Sequence, residues 1–269
     1  MTEIRLIHNL QRSGGTIISK CLGAQEGVVL LSEIHPKGIE VLRKMNRNYD
    51  YGDPIFQAQW NELFKIEEYE KIKNSNYNFE EKISLIVEKI EKKNKKLIIR
   101  DWSFLDHFGI PFIKPTYKNS ILEILKKKFK ILNLYILRHP LELYISCFNS
   151  LPFFFKNYNF NLFIKGYENF FLHASKGKIF KYEDFYNKPE ENLKNMCETL
   201  KINFNDNFRE NLNKIKLTGD SKAINSTNVF TKKSIASTLI KKDDQNKINS
   251  NPNFIRLMEN IKNYYQYNF

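Results

Sequence analysis

Ile4 to Leu22 reads IRLIHNLQRSGGTIISKCL, and the fold is decided by what happens in its middle. Ile4, Leu6 and Ile7 have the apolar, β-branched character of a buried strand. Ser13, Gly14 and Gly15 then break the run in a way that neither helix nor strand tolerates. Beyond the break, Ile17, Ile18, Cys21 and Leu22 share one face at helical spacing, and Gly23 is expected to end the helix as a left-handed residue. A strand that passes through glycines into a helix start turns several backbone N–H groups and the positive end of a helix dipole toward one point. That point suits an anion, most often a phosphate.

The rest of the chain repeats the alternation. Gly27 to Ser32 is a second strand, followed by Glu33, His35 and Pro36. Residues from Lys37 to Tyr77 are mixed, with Trp60, Leu63 and Phe64 suggesting a helix. Phe79 to Lys93 is helical by its Ile83, Ile86, Val87, Ile90 stripe. Lys96 to Arg100 is a third strand ending in Arg100, Asp101 and Ser103, with His107 beyond. Ser120 to Lys128 reads as a helix and Ile131 to Leu137 as a fourth strand, which runs into Arg138, His139 and a helix opened by Pro140. On that helix Ser146 lies about 150° from the apolar stripe at about 100° per residue, so it faces away from Leu141, Tyr144, Ile145 and Phe148. Lys178 to Lys181 is a fifth strand, and Pro189 opens a helix carrying Leu193, Met196, Cys197 and Leu200. A last helix spans about Asn253 to Tyr265. Strands alternating with helices predict one α/β domain over residues 1–269, three layers with a mostly parallel sheet flanked by helices, similar to the P-loop NTPases. In such sheets ligands sit at the carboxyl ends of the strands, where Glu33, His35, Arg100, Asp101 and Arg138 fall.

The chain has 269 residues, and 43 Lys plus Arg against 30 Asp plus Glu give a formal charge of +13. That balance suits an anionic ligand or partner, although runs such as Lys126 to Lys128 read as solvated helix faces. The aromatic stretch Pro152 to Phe171 reads as core rather than as a membrane or ligand surface. Cys21, Cys147 and Cys197 are far apart and sit in apolar patterns, so they predict buried thiols with no disulfide framework and no metal site. No apolar run approaches the roughly 18 residues of a membrane span, and the expected compartment is the cytoplasm. Thr218 to Asp244 is poor in apolar residues and reads as a long loop, with Lys222, Lys232 and Lys233 suited to close over an anion.

Three segments, in order, resemble the sulfotransferases that use 3′-phosphoadenosine 5′-phosphosulfate. QRSGGT at Gln11 to Thr16 is similar to that family's 5′-phosphosulfate loop. YILRHPLELYISCFN at Tyr135 to Asn149 is similar to its 3′-phosphate motif, with a serine eight positions after the arginine. FKYEDFYNKPEENLKNMCETLKI at Phe180 to Ile202 resembles its Tyr-Glu-Asp element. The resemblance implies that Arg12, Ser13, Gly14, Gly15, Thr16 and Ile17 hold the 5′ end of the donor. Arg138 and Ser146 would hold the 3′-phosphate, and a segment with Lys222, or with Lys232 and Lys233, would cover it. Arg138 is suited to that task because a guanidinium grips phosphate with two hydrogen bonds.

The same resemblance implies transfer of a sulfuryl group to a hydroxyl or amine of a carbohydrate or small-molecule acceptor, with adenosine 3′,5′-bisphosphate as product and no metal required. Arg12 would stabilise charge on the leaving oxygen, and since arginine does not readily release a proton it suits that role better than acid catalysis. Asp101 is the first candidate for general base, with Arg100 as a second cation, and Glu33, His35 and His107 remain alternatives. The family's histidine two residues past a lysine at this strand end is absent; Trp102 stands there. A nucleotide kinase would need a leading glycine and a lysine that HNLQRSGGT lacks. A nucleic-acid-binding protein would need a zinc finger, a basic helix or an RNA-binding aromatic motif, and none is present.

Overall fold

In a computed structural model of the protein, residues 2–151, 159–219, 246 and 248–265 are described. Five strands, β1 (Glu3–Asn9), β2 (Val28–Ile34), β3 (Lys96–Asp101), β4 (Lys130–Leu137) and β5 (Lys178–Lys181), form one sheet in the order β2-β3-β1-β4-β5. Every pairing is parallel. The anion-loop strand β1 is therefore central, and the chain order reverses beside it between β3 and β4. That is the kind of crevice where open α/β sheets bind ligands.

Helices cover both faces of the sheet. The strands alternate, so Ile7, Leu30, Ile98, Leu134 and Ile136 face α1 (Gly15–Gly23) and a later helix, Pro189–Thr199, packing with Ile18, Leu22, Leu193 and Met196. Ile4, Leu6, Val29, Leu31, Leu97 and Ile99 face the other way. There they pack with α3 (Pro54–Trp60), α4 (Ile66–Lys73), α5 (Phe79–Lys92) and α7 (Ser120–Leu125), while α2 (Gly38–Lys44) and α6 (Ser103–His107) belong to a second apolar cluster that takes in Tyr135 and Leu137 of β4. The stripe of α5 is buried as its spacing requires. Its start is fixed by Asn78, whose side chain accepts from the Glu81 N–H while Glu81 reaches back. Each of its four stripe residues contributes about 1.5–3 kcal/mol of burial.

Beyond β4, α8 (Pro140–Ser150) begins on proline, and α9 (Phe160–Ala174) buries Phe163, Tyr167, Phe170 and Phe171. The described part of the aromatic stretch is thus core; residues 152–158 lie outside the described residues. After β5 come α10 (Tyr182–Asn187), α11 (Pro189–Thr199), α12 (Phe208–Asn211) and α13 (Pro252–Ile261). No helix among the described residues is long and apolar enough to cross a membrane. The three cysteines are free and buried, and burial pushes each thiol up to about 12.

Several boundaries move. The expected helix around Trp60, Leu63 and Phe64 is α3, which ends at Trp60, and α7 stops at Leu125. Gly23 does not end α1 as a left-handed residue: it is the last helical residue and Ala24 caps it in a right-handed conformation. Gly23 is needed for packing instead, because a Cβ there would stand 2.9 Å from Leu30 Cδ2. The left-handed turn comes at Gly27, with φ +71°.

Candidate functional site

The turn between β1 and α1 is built from two residues of opposite character in the same unusual backbone region. Arg12 has φ +66° and Gly14 has φ +80°. Ser13 lies between them and is tied down, its N–H and hydroxyl both donating to the Leu10 carbonyl, at 3.3 and 2.5 Å. No side chain caps Gly14, so the N–H groups of Gly15, Thr16 and Ile17 have no acceptor within the helix. The turn is therefore a rigid N–H cradle with an exposed arginine on its rim.

The carboxyl end of β4 supplies a second cation beside it. Arg138 Nη1 donates to the Arg12 carbonyl at 2.7 Å, and Arg12 Nε donates to Ser146 Oγ at 3.2 Å. Arg12, Arg138 and Ser146 are thereby brought into one constellation. Ser146 is buried rather than solvent-facing, because the helix face opposite its apolar stripe is covered by the Arg12 turn. Arg138 also ion-pairs with Glu142 at 3.3 Å and stacks over Tyr182 at 5.1 Å.

Tyr182 and Glu183 brace this arrangement. A Cβ on Gly14 would fall 2.1 Å from Tyr182 Cδ2, so the ring presses directly on the turn. Glu183 accepts from the His139 N–H at 2.8 Å, at the start of α8, and from the Tyr265 hydroxyl at 3.1 Å. Burial pushes the Glu183 carboxyl above its ordinary range, and burial with the nearby Arg138 charge lowers His139 to about 4. The Tyr-Glu-Asp segment was visible in the sequence, but not that its tyrosine is a floor for the glycine turn.

The other candidates divide by strand geometry. Side chains of Arg100 and Asp101 must leave β3 on opposite faces. Arg100, 2% exposed, goes to the α1 side. There its Nε donates to Ser32 Oγ (3.0 Å), its Nη1 to Thr16 Oγ1 (2.9 Å) and its Nη2 to the Thr218 carbonyl (2.9 Å). Asp101 goes to the other side, where its carboxylate oxygens contact His8 Nδ1 and the Ser103 hydroxyl beside the stacked rings of His8 and Tyr135.

Glu33 follows neither rule. The β2–β3 register slips between Ser32 and Ile34, and Glu33 takes φ +55°. Such a bulge re-aims one side chain, and the Glu33 carboxylate reaches Arg100 Nη2 at 3.4 Å while staying 24% exposed. Ser32 and Thr218, which sequence reasoning did not single out, complete this corner. The Thr218 hydroxyl donates to the Ser32 carbonyl at 2.5 Å.

His35 and His107 are buried away from it. His35 Nδ1 accepts from the Lys37 N–H at 3.0 Å, and its Nε2 stands 3.4 Å from Asp106 as an electrostatic contact without hydrogen-bond alignment. Burial pushes the Asp106 carboxyl up, but His35, Ser120 and Thr116 outweigh it and hold it at about 2. Burial lowers His107 to about 4. Lys222, with the expected loop after Gly219, lies outside the described residues. Among the described residues no group of three or more His, Cys, Asp or Glu is arranged to hold a metal.

An open parallel sheet with an N–H cradle after its central strand and an arginine beside it defines the phosphate-loop class of α/β proteins. Within that class the chain has the sulfotransferase fold. It is similar to the sulfotransferase domain of the Synechococcus PCC 7002 olefin synthase, with TM-score 0.65 and 16% identity over 99% of this chain and 96% of that one. It is also similar to the sulfotransferase domain from the curacin biosynthetic pathway, with TM-score 0.56 and 15% identity over 100% and 99%. No family model and no curated protein matches the sequence.

Proposed function

We propose that this protein is a sulfotransferase that moves a sulfuryl group from 3′-phosphoadenosine 5′-phosphosulfate to a hydroxyl or amine of a small-molecule or carbohydrate acceptor. The observation that carries the proposal is the convergence of Arg138 and Ser146 on the Arg12 turn, from strands β1 and β4 and helix α8. It supports two anion grips of fixed spacing, as a donor phosphorylated at both ends of its ribose requires. The fold is compatible with that use.

In this reading the N–H groups of Gly15, Thr16 and Ile17 and the Arg12 guanidinium hold the 5′ end, while Arg138 and Ser146 hold the 3′-phosphate. The bond between sulfur and the bridging phosphate oxygen breaks, and the electron pair stays on that oxygen, where Arg12 stabilises the charge. A new bond forms between sulfur and the acceptor atom, whose proton passes to a general base. Glu33 is the best-suited base, since its carboxylate is partly exposed beside Arg100. Asp101 is committed to His8 and Ser103, His35 to the Lys37 N–H and Asp106, and His107 is packed against Phe170, so none of them faces Arg100 as Glu33 does.

Thermal melts with adenosine 3′,5′-bisphosphate and with ATP test the reading. Stabilisation by the bisphosphate well beyond that by ATP is expected. Equal shifts, or none, overturn it.

A further inference from the structure

We infer that Arg100 is a positioning residue that couples the donor loop to the acceptor side of the site, rather than a second cation on the transferring group. The inference rests on the proposed function and concerns how its two halves communicate. Each of the three guanidinium nitrogens is engaged within the protein, and the head group is almost fully buried. Its partners come from three separate pieces of chain. Thr16 belongs to the first turn of α1, where the donor's 5′ end would sit. Ser32 and Glu33 belong to the bulge that ends β2, and Thr218 to the strand-free segment that crosses it.

The bulge is the acceptor side in this reading, and nothing else among the described contacts joins its side chains to Thr16. A planar fork with fixed donor directions fits such a junction, whereas a lysine ammonium would present its charge at one point. The Thr16 hydroxyl accepts from Arg100, which directs its own proton away from the guanidinium. When an anion settles on the α1 N-terminus and fixes Thr16, the restraint passes through Arg100 to Ser32 and to the partly exposed Glu33 carboxylate. Arg100 thus ties the restraint on the base to the state of the donor loop.

Hydrogen exchange with and without saturating adenosine 3′,5′-bisphosphate reads this coupling without an acceptor. In the parent, the nucleotide is expected to slow exchange about tenfold both in residues 10–17 and in residues 32–34. In Arg100→Lys and in Ser32→Ala the slowing should persist in residues 10–17 and vanish in residues 32–34. Ser32→Ala removes the Nε acceptor together with the Ser32 hydroxyl's own bond to the Thr218 carbonyl, leaves Arg100 in place, and decides the matter if Arg100→Lys does not fold. A parent with no slowing in residues 10–17 overturns the donor assignment, and this inference with it. A parent protected in residues 10–17 but not in 32–34, or variants protected in both like the parent, overturns the coupling alone.

Discussion

Arg138 Nη1 donates to the main-chain carbonyl of Arg12 across 2.7 Å, so the cation assigned to the 3′-phosphate also props the backbone of the 5′ turn. The two proposed grips are one mechanical unit. Arg138→Ala should therefore weaken adenosine 3′,5′-bisphosphate binding between about 10- and 100-fold, as losing a charge-assisted contact does. Arg138→Lys should recover only part of it. Calorimetric titration of the nucleotide checks this, and parent-like affinity in Arg138→Ala would remove Arg138 from the donor site.

Glu33 and Asp101 are both carboxylates at strand ends, and they should fail differently. Glu33→Gln is expected to lower turnover by about 100-fold or more with any acceptor the parent uses, with nucleotide affinity and melting temperature nearly unchanged. Asp101→Asn breaks a buried contact with His8 and should cost on the order of 2 kcal/mol of stability in urea unfolding. The reverse pattern would move the base to Asp101.

Gly14 holds φ +80° with the Tyr182 ring against it. Gly14→Ala adds a left-handed alanine and a clash, so a loss of at least about 2 kcal/mol is expected. Unfolding in denaturant measures it. Tyr182→Ala alone should be milder and should partly rescue the double variant, since the obstacle is then gone.

Acid stability follows from His107 and His139, each lowered from 6.5 to about 4. The unfolded chain binds these protons at higher pH than the folded one, so stability is full above pH 6.5 and falls as pH drops toward about 4. Each ring contributes on the order of 3 kcal/mol across that window. Asp106, Asp101 and His173 lie near His107 and are part of its environment. His107→Leu should flatten the slope between pH 6.5 and 4 by about half, as read from urea midpoints against pH. An unchanged slope would assign the loss elsewhere.

The parallel sheet, its five strands and the phosphate-type turn were legible from periodicity and from Ser13, Gly14 and Gly15, because local chemistry alone dictates them. The joint of Arg12, Arg138 and Ser146 was legible only through resemblance, since residues far apart in the chain meet there. The orientation of Arg100 and Asp101 was implicit in strand alternation, which sends neighbours to opposite faces. The reach of Glu33 to Arg100 was not legible: it depends on a slip in β2, which no residue type announces. Nor was the buried state of His35 and His107, whose surroundings come from α2, α6 and α9 together.

The opposed placement of Arg100 and Asp101 makes the length of β3 as constrained as its composition. Inserting or deleting a single residue ahead of Arg100 would invert the strand's end. A deletion would bring a carboxylate to the Thr16 and Ser32 corner, whereas an insertion would drive a guanidinium toward His8. Tolerance to changes in chain length should accordingly drop to nothing along this strand and recover in the connections that flank it.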